Sequence, residues 1–206
     1  ADVIADDAPM LMGFKSDFTG TQPSEDRVTI WSGPFAGGTT QHVSKLRLDL
    51  DQWYVQDDRW QREAKMFCPF HADNDRIEGT GANLGQEGGI GECDDAKAAA
   101  RSKGVVGHSQ KTHRAREDGV PRILRRDFNA TAGGTPTLHF ISLQRRIEDF
   151  VETRAAMNGT DLAADTPIGQ RANNGILQYI RTERRGNFLV PPRALRALPP
   201  AAPTDG

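Results

Sequence analysis

Thr137-Leu138-His139-Phe140-Ile141-Ser142-Leu143 is a continuous strand-like run that passes without a turn into residues 144–157. In that second stretch Ile147, Phe150, Val151 and Ala155 share one helical face, and Asn158-Gly159 supplies the expected stop. A second strand is as legible upstream. Val43, Leu46, Leu48 and Leu50 are apolar, while Lys45, Arg47, Asp49 and Asp51 interleave from Lys45 onward. Apolar and polar residues in alternation predict a half-buried strand.

The other elements are weaker. A short strand is expected over residues 27–31, and an imperfect helix over 51–67, where Trp53, Tyr54, Trp60, Ala64 and Phe67 sit among charges. Residues 68–92 are rich in Gly and Asp without periodicity and read as a long loop or insertion, usually functional or disordered at such length. Alanines predict a helix over 94–102. Strands are expected over 122–128, 176–181 and 187–190, the last ended by Pro191-Pro192. The series of strand, helix, insertion, strand, strand, helix, strand predicts an α+β fold: a ferredoxin-like βαββαβ-type antiparallel sheet with helices on one face.

No stretch of the 206 residues approaches the ~20 apolar residues of a membrane span. The net charge of -2 hides an asymmetry. Residues 1–100 hold 9 Lys and Arg against 18 Asp and Glu, while residues 101–206 hold 17 against 10. Much of the positive excess lies between Arg101 and Arg126, where eight basic residues face only Glu117 and Asp118. By itself this run fits a solvated face, a nucleic-acid patch or an anion held by arginine. It contains no aromatic residue to stack on bases, and no phosphate-binding glycine motif accompanies it.

Cys68 and Cys93 permit one disulfide, and Cys68-Pro69-Phe70-His71 resembles half of a metal site with no second pair at zinc spacing. His139 sits inside an apolar strand and is expected to be a buried structural histidine. His108 differs: Gly104-Val105-Val106-Gly107 leads into it, an apolar approach with room for close backbone contact.

His108-Ser109-Gln110-Lys111-Thr112-His113-Arg114-Ala115-Arg116, followed by Arg122-Ile123-Leu124-Arg125-Arg126-Asp127-Phe128, resembles a signature of the dye-decolourising (DyP-type) haem peroxidases. Further blocks fall in that family's order: Gly37-Gly38-Thr39-Thr40-Gln41-His42-Val43 through Trp53, then Met66-Phe67, Leu143-Gln144-Arg145-Arg146-Ile147, and Gly186-Asn187-Phe188-Leu189-Val190-Pro191-Pro192. The resemblance spans residues 13 to about 198 and departs from the family in places. Counting from Gly13, the family's distal aspartate position holds Ser16, with Asp17 one residue late, and Cys68 replaces a glycine.

What the resemblance implies is a haem b protein, with hydrogen peroxide oxidising an organic reductant. His108 would be the proximal iron ligand, Asp17 the distal base, and Arg125 the distal cation, with Arg126 the alternative if the strand register is one off. Lys45 and Arg47 are candidates for the haem propionates, though an exposed strand face explains them equally. The second nitrogen of His108 needs an acceptor, for which Asp127 or another acid is a candidate. An alternative reading keeps the fold and drops the activity, leaving a haem-binding, electron-transfer or structural subunit.

The resemblance also implies that the first ferredoxin-like domain is largely absent. Residues 1–40 would carry its end and the distal motif, residues 41–195 the haem-binding domain, and 196–206 a disordered tail. A second chain or cleaved fragment would supply the missing half, an oligomer is expected, and neither nucleic acid nor a membrane span is. A first residue that is not Met and the family's frequent export point to the periplasm or cell exterior, with a cytoplasmic location left open.

Overall fold

The computed structural model describes residues 10–15, 22–81, 93 and 95–196. Four strands, β1 (Thr39–Leu48), β2 (Leu124–Ala132), β3 (Thr135–Gln144) and β4 (Ile180–Val190), form one antiparallel sheet in the order β2-β3-β1-β4. Helical segments separate β1 from β2 and β3 from β4, so the chain has the expected ferredoxin-like βαββαβ order. Gly133 and Gly134, both at positive φ, turn β2 into β3.

Facing residues of an antiparallel pair point to the same side, so the alternation of β1 carries across the sheet. His42, Ser44, Leu46 and Leu48 share one face with Phe140 and Leu138 of β3 and with Arg125 and Asp127 of β2. Val43, Lys45 and Arg47 share the opposite face with Ile141 and His139, and with Arg126 and Phe128. A one-residue shift in β4 leaves Glu183 unpaired between the partners of Lys45 and Leu46.

The first face is covered. Helix α7 (Ile147–Asn158) lies over it, with Phe150 stacked 3.7 Å from the His42 ring. The same imidazole meets Asn187 Oδ1 through Nδ1 at 2.7 Å, and burial pushes its pKa down. The chain ahead of α7 contributes α1 (Glu25–Val28), α2 (Leu50–Gln56), α3 (Arg59–Met66), α4 (Pro69–Asp73), α5 (Ala96–Lys103) and α6 (His108–His113), and α8 (Thr160–Asp165) follows it. Leu48, Trp53, Phe67, Ile77, Ile176 and Tyr179 form the main core with Met12 and Phe14. Inside it Lys65 donates to both carboxylate oxygens of Asp57 and to the Tyr179 hydroxyl at 2.7–2.8 Å, so this buried ion pair is hydrogen-bonded on both sides.

Several elements differ from expectation, each for a local reason. Residues 25–28 form α1 in place of a strand at 27–31, with Glu25 and Asp26 in the first turn and Arg27 in the last, as the helix dipole favours. The helix at 51–67 is two helices, because Asp58 starts α3 with a reciprocal capping box to Gln61. A 3-10 turn at Leu177–Tyr179 precedes one eleven-residue strand, β4, where two short ones were expected. Its charged stretch from Arg181 to Arg185 is the exposed edge of the sheet, where charge does not interrupt pairing. His139 is exposed rather than buried, because it points from the face that α7 does not cover. The expected insertion at 68–92 contains α4, and residues 82–92 lie outside the described ones, as do 197–206 of the tail.

Cys68 and Cys93 form a disulfide across a separation of 25 residues, with Cα atoms 6.1 Å apart. His71 lies beside them, all three buried, with the ligand atoms within 4.8 Å of one another. The sulfurs are bonded to each other, so the half metal site seen in the sequence is a covalent tie between α4 and the segment before α5.

Candidate haem site

α6 starts against a backbone. A Cβ on Gly107 would stand 1.7 Å from the Phe67 carbonyl oxygen, and only glycine permits that approach. The same carbonyl accepts the Gln110 N–H at 3.3 Å, while Gln110 Oε1 accepts the Gly107 N–H at 3.2 Å. On the other flank Val106 bridges to Asn174 in parallel register, and Gly175, at φ 62°, passes so close that a Cβ would lie 3.2 Å from the His108 backbone. The segment carrying His108 is therefore clamped between the α3–α4 turn and the loop at 170–175.

Lys111, one turn further along, is fully buried and donates to the Asn174 carbonyl at 2.9 Å and to its Oδ1 at 2.6 Å. Asn174 Nδ2 in turn donates to the carbonyls of Asn158 and Gln170, which ties α6 to the end of α7. Burial first, then Arg154 and Arg114, brings the Lys111 pKa down to about 7.

His108 faces a cavity of about 260 Å³ between the helices and the covered face of the sheet. Leu46, Leu48, Leu138, Phe140, Ile176 and Ile180 give it apolar walls, and Met66 and Phe67 close the helical side. Arg125 and Asp127 of β2 look into it from the sheet. Desolvation first, then the positive charges of Lys111, Arg125 and Arg154, brings the His108 pKa down to about 3. The imidazole is thus neutral at physiological pH, the form that binds a metal. Arg125 Nε and Asp127 Oδ1 are buried without a hydrogen-bond partner among the described residues. Polar atoms left so are costly and call for a partner from outside the chain, such as a water, an ion or a ligand. Arg154, Arg171, Arg116 and Arg122 also line the cavity.

A sequence profile described as "Family of unknown function (DUF7405)" matches residues 1–192. The chain belongs to this family. No curated protein matches it. Among solved structures, this member of DUF7405 is similar to a variant of Rhodococcus jostii RHA1 DypB in complex with haem, at a TM-score of 0.62 and 20% identity over 93% of this chain and 55% of that one. It is likewise similar to the dye-decolorizing protein from V. cholerae, at 0.60 and 19% over 92% of this chain and 54% of that one. These likenesses establish the fold, which is that of DyP-type peroxidases, and the chain spans about half the length of the structures it matches.

Of the residues singled out in the sequence, the structure brings His108 and Arg125 to one cavity. It does not bring Arg126, Lys45 or Arg47 there. Arg126 is one residue from Arg125 on a strand, so it emerges on the opposite face, exposed, donating to the Arg125 carbonyl at 2.8 Å. Lys45 and Arg47 alternate with the cavity-lining Leu46 and Leu48 and therefore share that opposite face, where Lys45 pairs with Glu183 at 2.8 Å. Arg154 and Arg171 are the cations placed where Lys45 and Arg47 were expected.

Asp17 lies outside the described residues. Asp127 stands on the sheet beside Arg125, and its buried Oδ1 makes no hydrogen bond to the His108 ring. Its place was readable from the spacing, since Arg125 and Asp127 are two apart on a strand and share a face. Lys111, Asn174 and Arg154 carry no such sequence signal, because their partners lie far along the chain. The aromatics at 53–60 divide: Trp53 is core and donates to the Met12 carbonyl at 3.1 Å, Tyr54 donates to the Leu11 carbonyl at 2.9 Å, and Trp60 reaches the surface beside Asp73.

Proposed function

We propose that the chain binds haem, with His108 as the iron ligand, and that it uses peroxide to oxidise organic reductants. The observation that carries this reading is one cavity holding a neutral imidazole on its helical side and a buried, partnerless guanidinium nitrogen on its sheet side. The donor set fits the group: one nitrogen ligand, apolar walls for the macrocycle, and Arg154 and Arg171 for its carboxylates. When bound, haem supplies the redox-active iron at which peroxide is reduced.

The chain's own residues do the rest. Gly107 and Gly175 let the backbone hold His108 in one orientation, and the Lys111–Asn174 clamp keeps α6 from turning. Arg125 would meet negative charge developing on the departing oxygen from a buried position, where a fixed cation is worth most. The apolar walls exclude bulk water. Partner, oligomer and export are parts of the same proposal: a second chain or fragment would cover the exposed sheet face.

A second reading rests on a specific absence. Among the described residues no carboxylate pairs with His108, and its charged neighbours Lys111, Arg125 and Arg154 are all cations. A histidine without an anionic partner pushes less electron density to iron, which suits haem binding or electron transfer better than O–O cleavage. The test has two steps. Purified protein reconstituted with haem is expected to show a Soret band that His108→Ala loses, and an unchanged spectrum in that variant overturns the ligand assignment. Peroxide-dependent dye oxidation by the wild type then supports the peroxidase reading, and its absence from haem-loaded protein supports the second.

A further inference from the structure

Arg125 and Asp127 form an unusual pair. An arginine and an aspartate two apart on a strand, both half-buried on one face, would ordinarily close on each other in a salt bridge. Here no ion pair joins them, and each leaves a buried polar atom without a hydrogen-bond partner among the described residues, Nε on Arg125 and Oδ1 on Asp127. Both line the cavity that His108 faces. Arg125 stands opposite Ser142 and Asp127 opposite Phe140, so the sheet supplies a hydroxyl to one neighbour and only an aromatic ring to the other. The Ser142 hydroxyl is occupied in donating to Gln144 Oε1 at 2.9 Å. Neither cavity-facing group is therefore satisfied from within the sheet.

The remaining charged and titratable groups on this cavity are basic. His108 and His113 come from α6, Arg116 and Arg122 from the chain after it, Arg154 from α7, Arg171 from the loop after α8 and Lys15 from the segment ahead of α1. Among the described lining residues Asp127 is the only carboxylate. Arg122 is already committed to Glu117, Asp149 and Glu152. A lone acid amid bases, with an oxygen left without a donor on the cavity wall, is equipped to accept a proton from a ligand and hand it on.

We propose that Asp127 is the proton-transfer group of this site, acting on weak acids of the form H–X that bind as their anions, hydrogen peroxide among them. The proposal rests on the haem reading above. With peroxide, the Asp127 carboxylate would take the proton from one oxygen and return it to the other. The O–O bond would break with its electron pair leaving on the second oxygen, which departs as water, and haem, when bound, would supply the two electrons that the first oxygen then lacks. Asp127 ends as it began, a carboxylate. Arg125 neutralises the charge on the departing oxygen before the proton arrives. Burial raises the Asp127 pKa while Arg125 lowers it, opposing influences that suit a group that must both take and release a proton.

Cyanide tests this without turnover, because hydrogen cyanide must lose its proton to bind ferric haem. Asp127→Asn keeps the shape of the side chain and removes its basicity. The expected result is an unaltered Soret band and haem affinity, with cyanide association and the first reaction with peroxide both slowed about 100-fold or more. A variant that binds cyanide as fast as the wild type overturns the proposal, and so does one in which Asp17→Asn produces the loss while Asp127→Asn does not. Failure of the haem reading looks different: the wild type itself then takes up no haem.

The apoprotein gives an independent check. A carboxyl whose pKa is raised by burial favours folding while protonated, so the wild type should lose stability relative to Asp127→Asn as pH rises above the ordinary aspartate value of 3.8. Parallel stability profiles would mean that the carboxyl is already solvated or paired, and would also overturn the assignment.

Discussion

Reduction of the Cys68–Cys93 disulfide should cost this fold a large part of its stability. The bond closes a separation of 25 residues. In the chain-entropy account a loop of that length removes about 12 cal/mol/K from the unfolded ensemble, or about 3.5 kcal/mol at 25 °C. For a chain of 206 residues each kcal/mol moves the melting temperature by roughly 2–4 °C, so the fall should be roughly 7–14 °C. Thermal unfolding of the wild type with and without a dithiol reductant isolates the cross-link, since both sulfurs stay in place to fill their buried sites. The Cys68→Ala, Cys93→Ala double variant adds a packing loss of about 1 kcal/mol or more, because both side chains are fully buried. The site should feel the change. Cys68 caps α4 directly after Phe67, whose ring lines the cavity and whose carbonyl receives the Gln110 N–H. A melting temperature that moves by less than about 3 °C on verified reduction would refute the reasoning, and would mean that the loop is already constrained when the chain is unfolded.

Two further outcomes follow from the helical wall. Gly107→Ala should destabilise the protein by about 2 kcal/mol or more, because the added methyl would lie 1.7 Å from a backbone oxygen and α6 must move away; wild-type stability in urea unfolding would contradict the close approach. Lys111, with its pKa lowered to about 7, binds fewer protons folded than unfolded between pH 7 and about 10, so its contribution to stability is poorest below pH 7 and improves as pH rises. Measured against Lys111→Met, the wild type should gain about 2 kcal/mol between pH 7 and pH 9, and a difference that stays flat or falls would show that the amine keeps its ordinary affinity for protons.

What the sequence revealed and what it hid divide along a physical line. β1, β3 and α7 were legible because their periodicity is local: side chains two or 3.6 residues apart report the same face whatever lies opposite. β4 was not legible as one strand, since an edge strand tolerates charges from Arg181 to Arg185 and its pattern is set by solvent. The same periodicity that found β1 also decides between site candidates. Leu46 and Leu48 line the cavity, so Lys45 and Arg47 cannot, and the choice of Arg125 over Arg126 is the same alternation on a second strand. That choice brings Asp127 into the cavity with Arg125. The helical wall had no comparable signal, because the groups that hold His108 come from Phe67, Asn174 and Gly175, joined only in three dimensions.

The charge asymmetry gains a sharper meaning from this geometry. The basic run from Arg101 to Arg126 divides between two environments: Arg114 pairs with Asp161 at the surface, while Arg116, Arg122 and Arg125 line the cavity. Among the described residues Arg125 Nε has no acceptor, Asp127 Oδ1 has no donor, and the sheet offers neither a substitute. A fold that sought only stability would have closed this pair or replaced both by apolar side chains, since unpaired buried charge costs more than it returns. On the proposal above, an unsatisfied cation and an unsatisfied acid side by side suit a ligand with a developing negative charge and a mobile proton, and the proposal thereby rests on β2 as much as on the histidine.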